Sequence, residues 1–239
     1  MAVRGRCFGS SVIGPAHERQ GLPNQDAWIY RSTDRYDCAV VADGLGSRRE
    51  SERAASSICQ AMVSAADHLI GASSASFDPS VFLGDALERF AGALKGLTRC
   101  DCGTTCLGCL RTYGKVHLFL YGDGLVAAVC RDGRIVRLED DKSESFSNLV
   151  SALDPEVVET SWLYRAVPES DCLAVVLCTD GISDDLEDAD GFLFSFVEEY
   201  SRLSVEEANQ AIGEMLRRWP VAFHADDKTI ACLYFEEVD

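Results

Sequence analysis

Two stretches of this 239-residue chain end in the same way. In residues 38–51, CAVVADGLGSRRES, five apolar residues stop at Asp43, and Gly44-Leu45-Gly46 loosens the backbone before a helix-like segment. In residues 173–184, LAVVLCTDGISD, a second apolar run stops at Thr179-Asp180-Gly181. A buried strand fixes the direction of a carboxylate at its end, and glycines let backbone carbonyls and waters come close to a hard cation. Asp-Gly is equally a common hairpin-turn signal, so either stretch alone supports a turn as well as a site. Their repetition favours the site, because two strand-terminal aspartates converge when their strands lie close together.

Further carboxylates stand at comparable places: Asp26 in PNQDAW, Asp123 in YGDG, Asp184 in TDGISD, and Asp226 with Asp227 in HADDKT. Crowded carboxylates repel and raise one another's pKa, which is costly unless cations occupy the cluster. All-oxygen ligation with bound water points to magnesium or manganese rather than zinc.

The elements that must position these residues can be read in order. A strand is expected over residues 7–13, a loop over 14–24, a strand beginning at 27–30, and a third strand ending at Asp43. Residues 50–70 carry apolar positions at Ala54, Ala55, Ile58, Ala61, Met62, Ala65 and Leu69, which is helical spacing. Asp78-Pro79 opens a second helix with Phe82, Ala86, Leu87 and Phe90 on its apolar face. Short strands follow at 104–111, 116–121, 125–130 and 135–138, separated by Tyr113-Gly114-Lys115, Gly122-Asp123-Gly124 and Asp132-Gly133. Asp132-Gly133 reads as a plain hairpin turn.

The acidic segment from residue 139 to about 168 reads as a loop or flap up to the strand at 174–179. Two helices are expected at 191–200 and 205–219, the second begun by a Ser204/Glu207 capping box, and a last strand at 229–235. Strand blocks interleaved with two helix pairs imply an α+β fold: an αββα sandwich of two antiparallel sheets with helices outside. The strand ends of such a sandwich meet at one rim. No repeat or linker divides residues 1–239, so a single domain is expected.

Composition narrows the partners. With 22 basic against 39 acidic side chains the formal net charge is -17, which argues against an electrostatic grip on nucleic acid. Trp28, Trp162 and Trp219 are too scattered to form a base-stacking platform. No run approaches the ~18 apolar residues of a membrane span, and the N-terminal MAVRGRCFGS lacks the apolar core of a signal peptide. A cytoplasmic monomer without membrane association is the expectation. Eleven cysteines, many inside apolar runs, read as small buried hydrophobes in a reducing compartment. Cys100, Cys102, Cys106 and Cys109 have the spacing C-x-C-x3-C-x2-C, which is not a paired CxxC zinc motif, and the preferred reading is a strand that uses cysteine. His68 and His117 fall in helix and strand patterns and read as structural, and His224 reads as a loop residue near Asp226.

Taken together, Asn24-Gln25-Asp26, Val41-Ala42-Asp43-Gly44-Leu45-Gly46, Gly103-Thr104-Thr105, Gly122-Asp123, Thr179-Asp180-Gly181 and Asp226-Asp227-Lys228-Thr229 resemble, in order and over nearly the whole chain, the metal-dependent protein phosphatases. These are the PPM or type 2C serine/threonine phosphatases, here in their bacterial-type single-domain form. The resemblance implies an αββα sandwich with a two-metal centre of Mg2+ or Mn2+ between the sheets, and a phosphorylated protein as substrate. It implies Asp43 as the bridging ligand, Gly44 as a carbonyl ligand, and Asp180 and Asp226 as further ligands. Asp226 is preferred to Asp227 because it lies three residues before Thr229. Asp26 resembles the carboxylate that orients the attacking water, and Asp123 and Asp184 match positions that hold a third, weaker ion. Two such cations would acidify a water and neutralise phosphoryl oxygens during in-line attack.

The chain departs from the family's pattern at three places. Gln25 stands where many members have glutamate, Gly21 where a phosphate-binding arginine is common, and Leu45 where some have a histidine proton donor. His17 or Arg19 are the candidates to contact substrate phosphate from the same loop. These departures keep a second reading open, a regulatory pseudophosphatase that binds phosphoproteins without turnover. A third is a cation-binding domain with no phosphate chemistry.

Overall fold

The computed structural model describes residues 2–71, 76–139, 152–157 and 161–238. Among them, ten strands form two five-stranded antiparallel sheets. The first has the order β1 (Ala2–Val12), β10 (Lys228–Val238), β9 (Cys172–Cys178), β6 (Leu125–Cys130), β7 (Ile135–Glu139). The second runs β2 (Asp26–Ser32), β3 (Asp37–Asp43), β4 (Cys106–Thr112), β5 (Lys115–Tyr121), β8 (Leu163–Pro168). Helices α2 (Ser51–Gly71) and α3 (Pro79–Ala93) pack on the second sheet, and α5 (Ala189–Tyr200) and α6 (Val205–Arg217) on the first. The expected αββα sandwich is present.

Side-chain alternation along a strand builds the layers. In β3, Cys38, Val40 and Ala42 pack toward α2 and α3, while Ala39 and Val41 enter the space between the sheets. In β9, Val175 and Leu177 face the other sheet, while Ala174, Val176 and Cys178 face α5 and α6. Apolar residues on both faces explain why these strands read as continuous apolar runs rather than alternating ones. Such burial also makes their register costly to change, because a one-residue slip would swap every side chain to the opposite layer. The terminal aspartates are thereby fixed in place.

The same parity disperses the cysteine cluster. Cys106 packs toward the helices and Cys109, three residues on, between the sheets, while Cys100 is exposed. All eleven cysteines are free, and ten of them are buried.

Local signals end the elements as their chemistry demands. The Ser204 hydroxyl accepts from Glu207 N–H and the Glu207 carboxylate accepts from Ser204 N–H, so the capping box forms. Asp78 caps α3 by accepting from Ser80 and Val81 N–H, with Pro79 in the first turn. Tyr113 and Gly114, at φ 48° and 71°, form the tight β4–β5 turn, and Gly133 at φ 83° turns β6 into β7.

Three elements differ from expectation. The stretch expected as a loop over 14–24 contains helix α1 (Pro15–Gln20), which buries no residue and so gives no apolar period. The last six residues of the expected flap are β8, an edge strand exposed along most of its length and therefore poor in strand pattern. Residues 140–151 and 158–160 of that flap lie outside the described residues. The third is a four-residue helix, α4 (Asp180–Ser183), directly after β9.

Candidate metal centre

β2 and β3 pair so that Asp26 and Asp43 face one another at the end of the ladder. β9 ends at Cys178, and Thr179 caps α4 so that Asp180 opens it at the same rim. β10 brings Asp226 and Asp227 just before its first residue, with Ile230 paired to Cys178 of β9. Asp123 lies in the turn that carries the chain from β5 in one sheet to β6 in the other. The rim between the sheets therefore gathers Asp26, Asp43, Asp180 and Asp226 from both halves of the chain.

Asp43 is held by its backbone. Its N–H donates to the Thr105 hydroxyl at 2.9 Å, and its carbonyl accepts from Thr105 N–H at 2.8 Å and the Thr104 hydroxyl at 2.8 Å. Gly44 N–H donates to the Gln25 carbonyl at 3.1 Å, tying the Asp43 loop to the Asp26 strand. A Cβ on Gly44 would lie 2.6 Å from the Ser51 carbonyl oxygen, so only glycine lets the start of α2 pack here.

The electrostatics are those of a frustrated anion cluster. Burial, then the neighbouring Asp26, Asp180 and Asp226, push the Asp43 carboxyl well above its ordinary range. Asp26 is raised chiefly by burial, against the Thr229 and Thr179 hydroxyls, which favour its charged form. Asp226, although more open to solvent than the other two, is raised by partial desolvation and then by Asp180. Asp43 is the cross-strand partner of Asp26 and feels the charge of Asp180. Thr179 donates to Asp26 Oδ2 at 3.0 Å, but Asp26 Oδ1 and Asp180 Oδ1 are buried with no hydrogen-bond partner.

Orphaned carboxylate oxygens in such a place fit cations. Among the described residues, no three His, Cys, Asp or Glu side chains already surround one point as a metal shell. An incomplete carboxylate shell is one that carbonyl and water ligands would complete, which suits hard divalent ions. A cavity of about 150 Å³ bounded by Asp180, Asp184, Asp226 and Lys228 opens beside them.

The two adjacent aspartates at 226 and 227 take different positions. Asp227 is 2% exposed and accepts from Gly14 N–H at 2.6 Å, Gln25 N–H at 2.7 Å and His17 Nδ1 at 2.9 Å. Its oxygens are thus committed to the loop ahead of β2, while Asp226 lies exposed at the rim. His17 comes to the site side through this contact. Arg19, two residues on and so about 200° around the helix, is exposed and makes no contact with the cluster.

Gly21, which stands in place of the commonly found arginine, ends α1 at φ 68°, a left-handed position favourable to glycine. Asp184 is exposed at the end of α4, and Asp123 is 8% exposed in its turn.

The sequence motifs contain Thr105, Thr179 and Lys228 without a role, and Asp227 only as the alternative to Asp226; the structure shows them holding the frame, the buried Lys228 ammonium donating to His224 Nδ1 at 3.1 Å and to the Asp226 carbonyl at 3.1 Å. Thr179, directly before Asp180-Gly181, was the hydroxyl with an available signal. His117 and His68 lie elsewhere: His117 Nδ1 meets the Tyr164 hydroxyl at 2.8 Å, and His68 pairs with Asp85.

Two antiparallel sheets between helix pairs, with aspartates at the rim, define the architecture of the metal-dependent protein phosphatases. The family model "Protein phosphatase 2C" matches residues 13–217, and the chain belongs to that family. Solved structures agree in fold. The catalytic domain of the serine/threonine protein phosphatase PstP, in complex with two manganese ions, is 20% identical with a TM-score of 0.65, covering 99% of this chain and 100% of that one. PstP/Ppp of Mycobacterium tuberculosis, 20% identical, has a TM-score of 0.63 and coverage of 99% and 100%. Stp1 of Staphylococcus aureus, 15% identical, has a TM-score of 0.66 and coverage of 99% and 96%. No curated protein matches the sequence. No helix among the described residues is long and apolar enough to cross a membrane.

Proposed function

We propose that this chain hydrolyses phosphoserine and phosphothreonine in proteins with two Mg2+ or Mn2+ ions, residues 1–239 forming one catalytic unit. The observation that carries the reading is the set of Asp26, Asp43 and Asp180, gathered half-buried at one rim with an orphaned oxygen on Asp26 and another on Asp180. Asp43, the Gly44 carbonyl, Asp180 and Asp226 would hold the ions, with Asp123 and Asp184 available to a weaker third. When bound, the ions supply charge for the phosphoryl oxygens and acidify water.

Asp26 would orient a water and take its proton, a reading supported by the Thr179 hydrogen bond to its Oδ2 and the unpartnered Oδ1. His17 is the candidate for contact with substrate phosphate; Arg19 would need to swing from the exposed face of α1. The partner would be a phosphorylated protein met by a monomer in the cytoplasm, and the charge of -17 disfavours nucleic acid.

The test is phosphate release from a phosphothreonine peptide with manganese, with magnesium and with chelator. Metal-dependent release abolished by chelator supports the reading. Absence of release from folded protein would turn it toward a phosphoprotein-binding module.

A further inference from the structure

We infer that His17 is the residue that protonates the departing seryl or threonyl oxygen, with Asp227 as its positioning residue; this rests on the phosphatase reading above. Leu45 leaves no proton donor directly after Asp43-Gly44. The structure brings an imidazole there from a different element. His17 Nδ1 lies 2.9 Å from Asp227 Oδ2, and Asp227, buried and also bound by the Gly14 and Gln25 amides, is fixed in direction.

A carboxylate accepts at Nδ1, so that nitrogen carries a proton and Nε2 is turned away from it, able to hold the second. Nε2 makes no hydrogen bond within the described residues, and the side chain is 13% exposed. A Cβ built on Gly46 would lie 3.9 Å from Nε2 and 3.6 Å from Gln25 Oε1, so the imidazole faces the loop that carries Asp43 and Gly44. Its partner Asp227 directly precedes β10, in the other sheet. It therefore stands between the two sheets' contributions to the site.

In the step, water oxygen forms the new P–O bond and its proton passes to Asp26. The P–O bond to the side chain breaks, and the leaving oxygen takes the bonding pair and the Nε2 proton. His17 is then reprotonated from solvent, Asp26 releases its proton, and one water is consumed per phosphate freed.

The experiment compares a phosphothreonine peptide, whose alkoxide needs a proton, with para-nitrophenyl phosphate, whose leaving group does not. His17→Ala and His17→Asn, the second keeping a donor toward Asp227, should each lower kcat on the peptide about 100-fold. Turnover of para-nitrophenyl phosphate should fall far less than turnover of the peptide, any shared loss being that of a phosphate contact, and the manganese concentration for half-activity should stay near wild type. Asp227→Asn should show the same substrate selectivity in milder form. Equal loss on both substrates, or no loss on the peptide, overturns the inference while leaving the phosphatase reading intact. Wild-type protein inactive on both substrates overturns the phosphatase reading itself.

Discussion

Asp26 and Asp43 are cross-strand partners in the last pair of the β2–β3 ladder, so two carboxylates sit side by side where the chain leaves the sheet. Like charges directly opposite in a sheet destabilise it, and burial of both adds to the cost. A fold retains such a pair where something other than stability requires it.

Asp43→Asn should therefore raise the thermal midpoint of the metal-free protein, by on the order of 1 kcal/mol or ~2–4 °C for a chain of this size. It should also abolish metal-dependent phosphate release. Calorimetry in chelator together with the peptide assay checks both. A lower midpoint with normal turnover would remove Asp43 from the centre.

Metal stabilisation should depend on pH. Asp26, Asp43 and Asp226 have folded pKa values above their unfolded ones, so the folded apo protein holds more protons than the unfolded chain. Its stability then falls as pH rises from the ordinary carboxylate range through the raised values. Cations compete with those protons, so the midpoint shift caused by saturating Mn2+ should be larger at pH 8 than at pH 5.5. Equal shifts would show that the carboxylates do not bind the ion.

Gly14 should be intolerant of substitution although it lies outside the acidic set. A Cβ there would collide with the Asp226 carbonyl group, and Gly14 N–H is one of the three donors to Asp227. Gly14→Ala should cost about 1–3 kcal/mol as overpacking and weaken metal binding by displacing Asp226. Urea unfolding and Mn2+ titration would measure the two effects; unchanged metal affinity would separate this loop from the site.

His117 should produce a separate acid sensitivity. Burial lowers its pKa to about 4, so below pH 6.5 the unfolded chain binds a proton that the folded one does not. Stability from this residue is complete above about pH 6.5 and is lost as pH falls toward 4. His117→Phe should flatten the urea midpoint between pH 7 and pH 5 relative to wild type. Parallel pH slopes for the two proteins would show that His117 is already charged when folded.

Much of the frame was legible. The apolar runs before Asp43 and Asp180, the helix periods of α2 and α6, and the Ser204 capping box rest on local physics that the sequence states directly. Helix α1 and β8 were not legible for the opposite reason: α1 buries none of its side chains and β8 is mostly exposed, so neither carries a periodic apolar signal. Asp43, Asp180 and Asp123 were found because they follow an apolar run or a turn glycine, and Asp26, Asp184 and Asp226 through the ordered motifs of the family. Thr105 and Thr179 were visible as members of those motifs, but their hydrogen bonds to Asp43 and Asp26 were not.

What the sequence determined alone is which residues end strands, which faces of those strands are apolar, and the order of the aspartates along the chain. What only the tertiary structure decided is which of these meet: Asp26 against Asp43, and His17 against Asp227 across 210 residues. Period and propensity act within a few residues, whereas strand pairing is settled by burial summed over two whole sheets. The orientation of Asp227 shows the difference. By sequence it is the neighbour of a metal candidate; by its three hydrogen bonds it is the anchor of the loop that brings His17 to the rim.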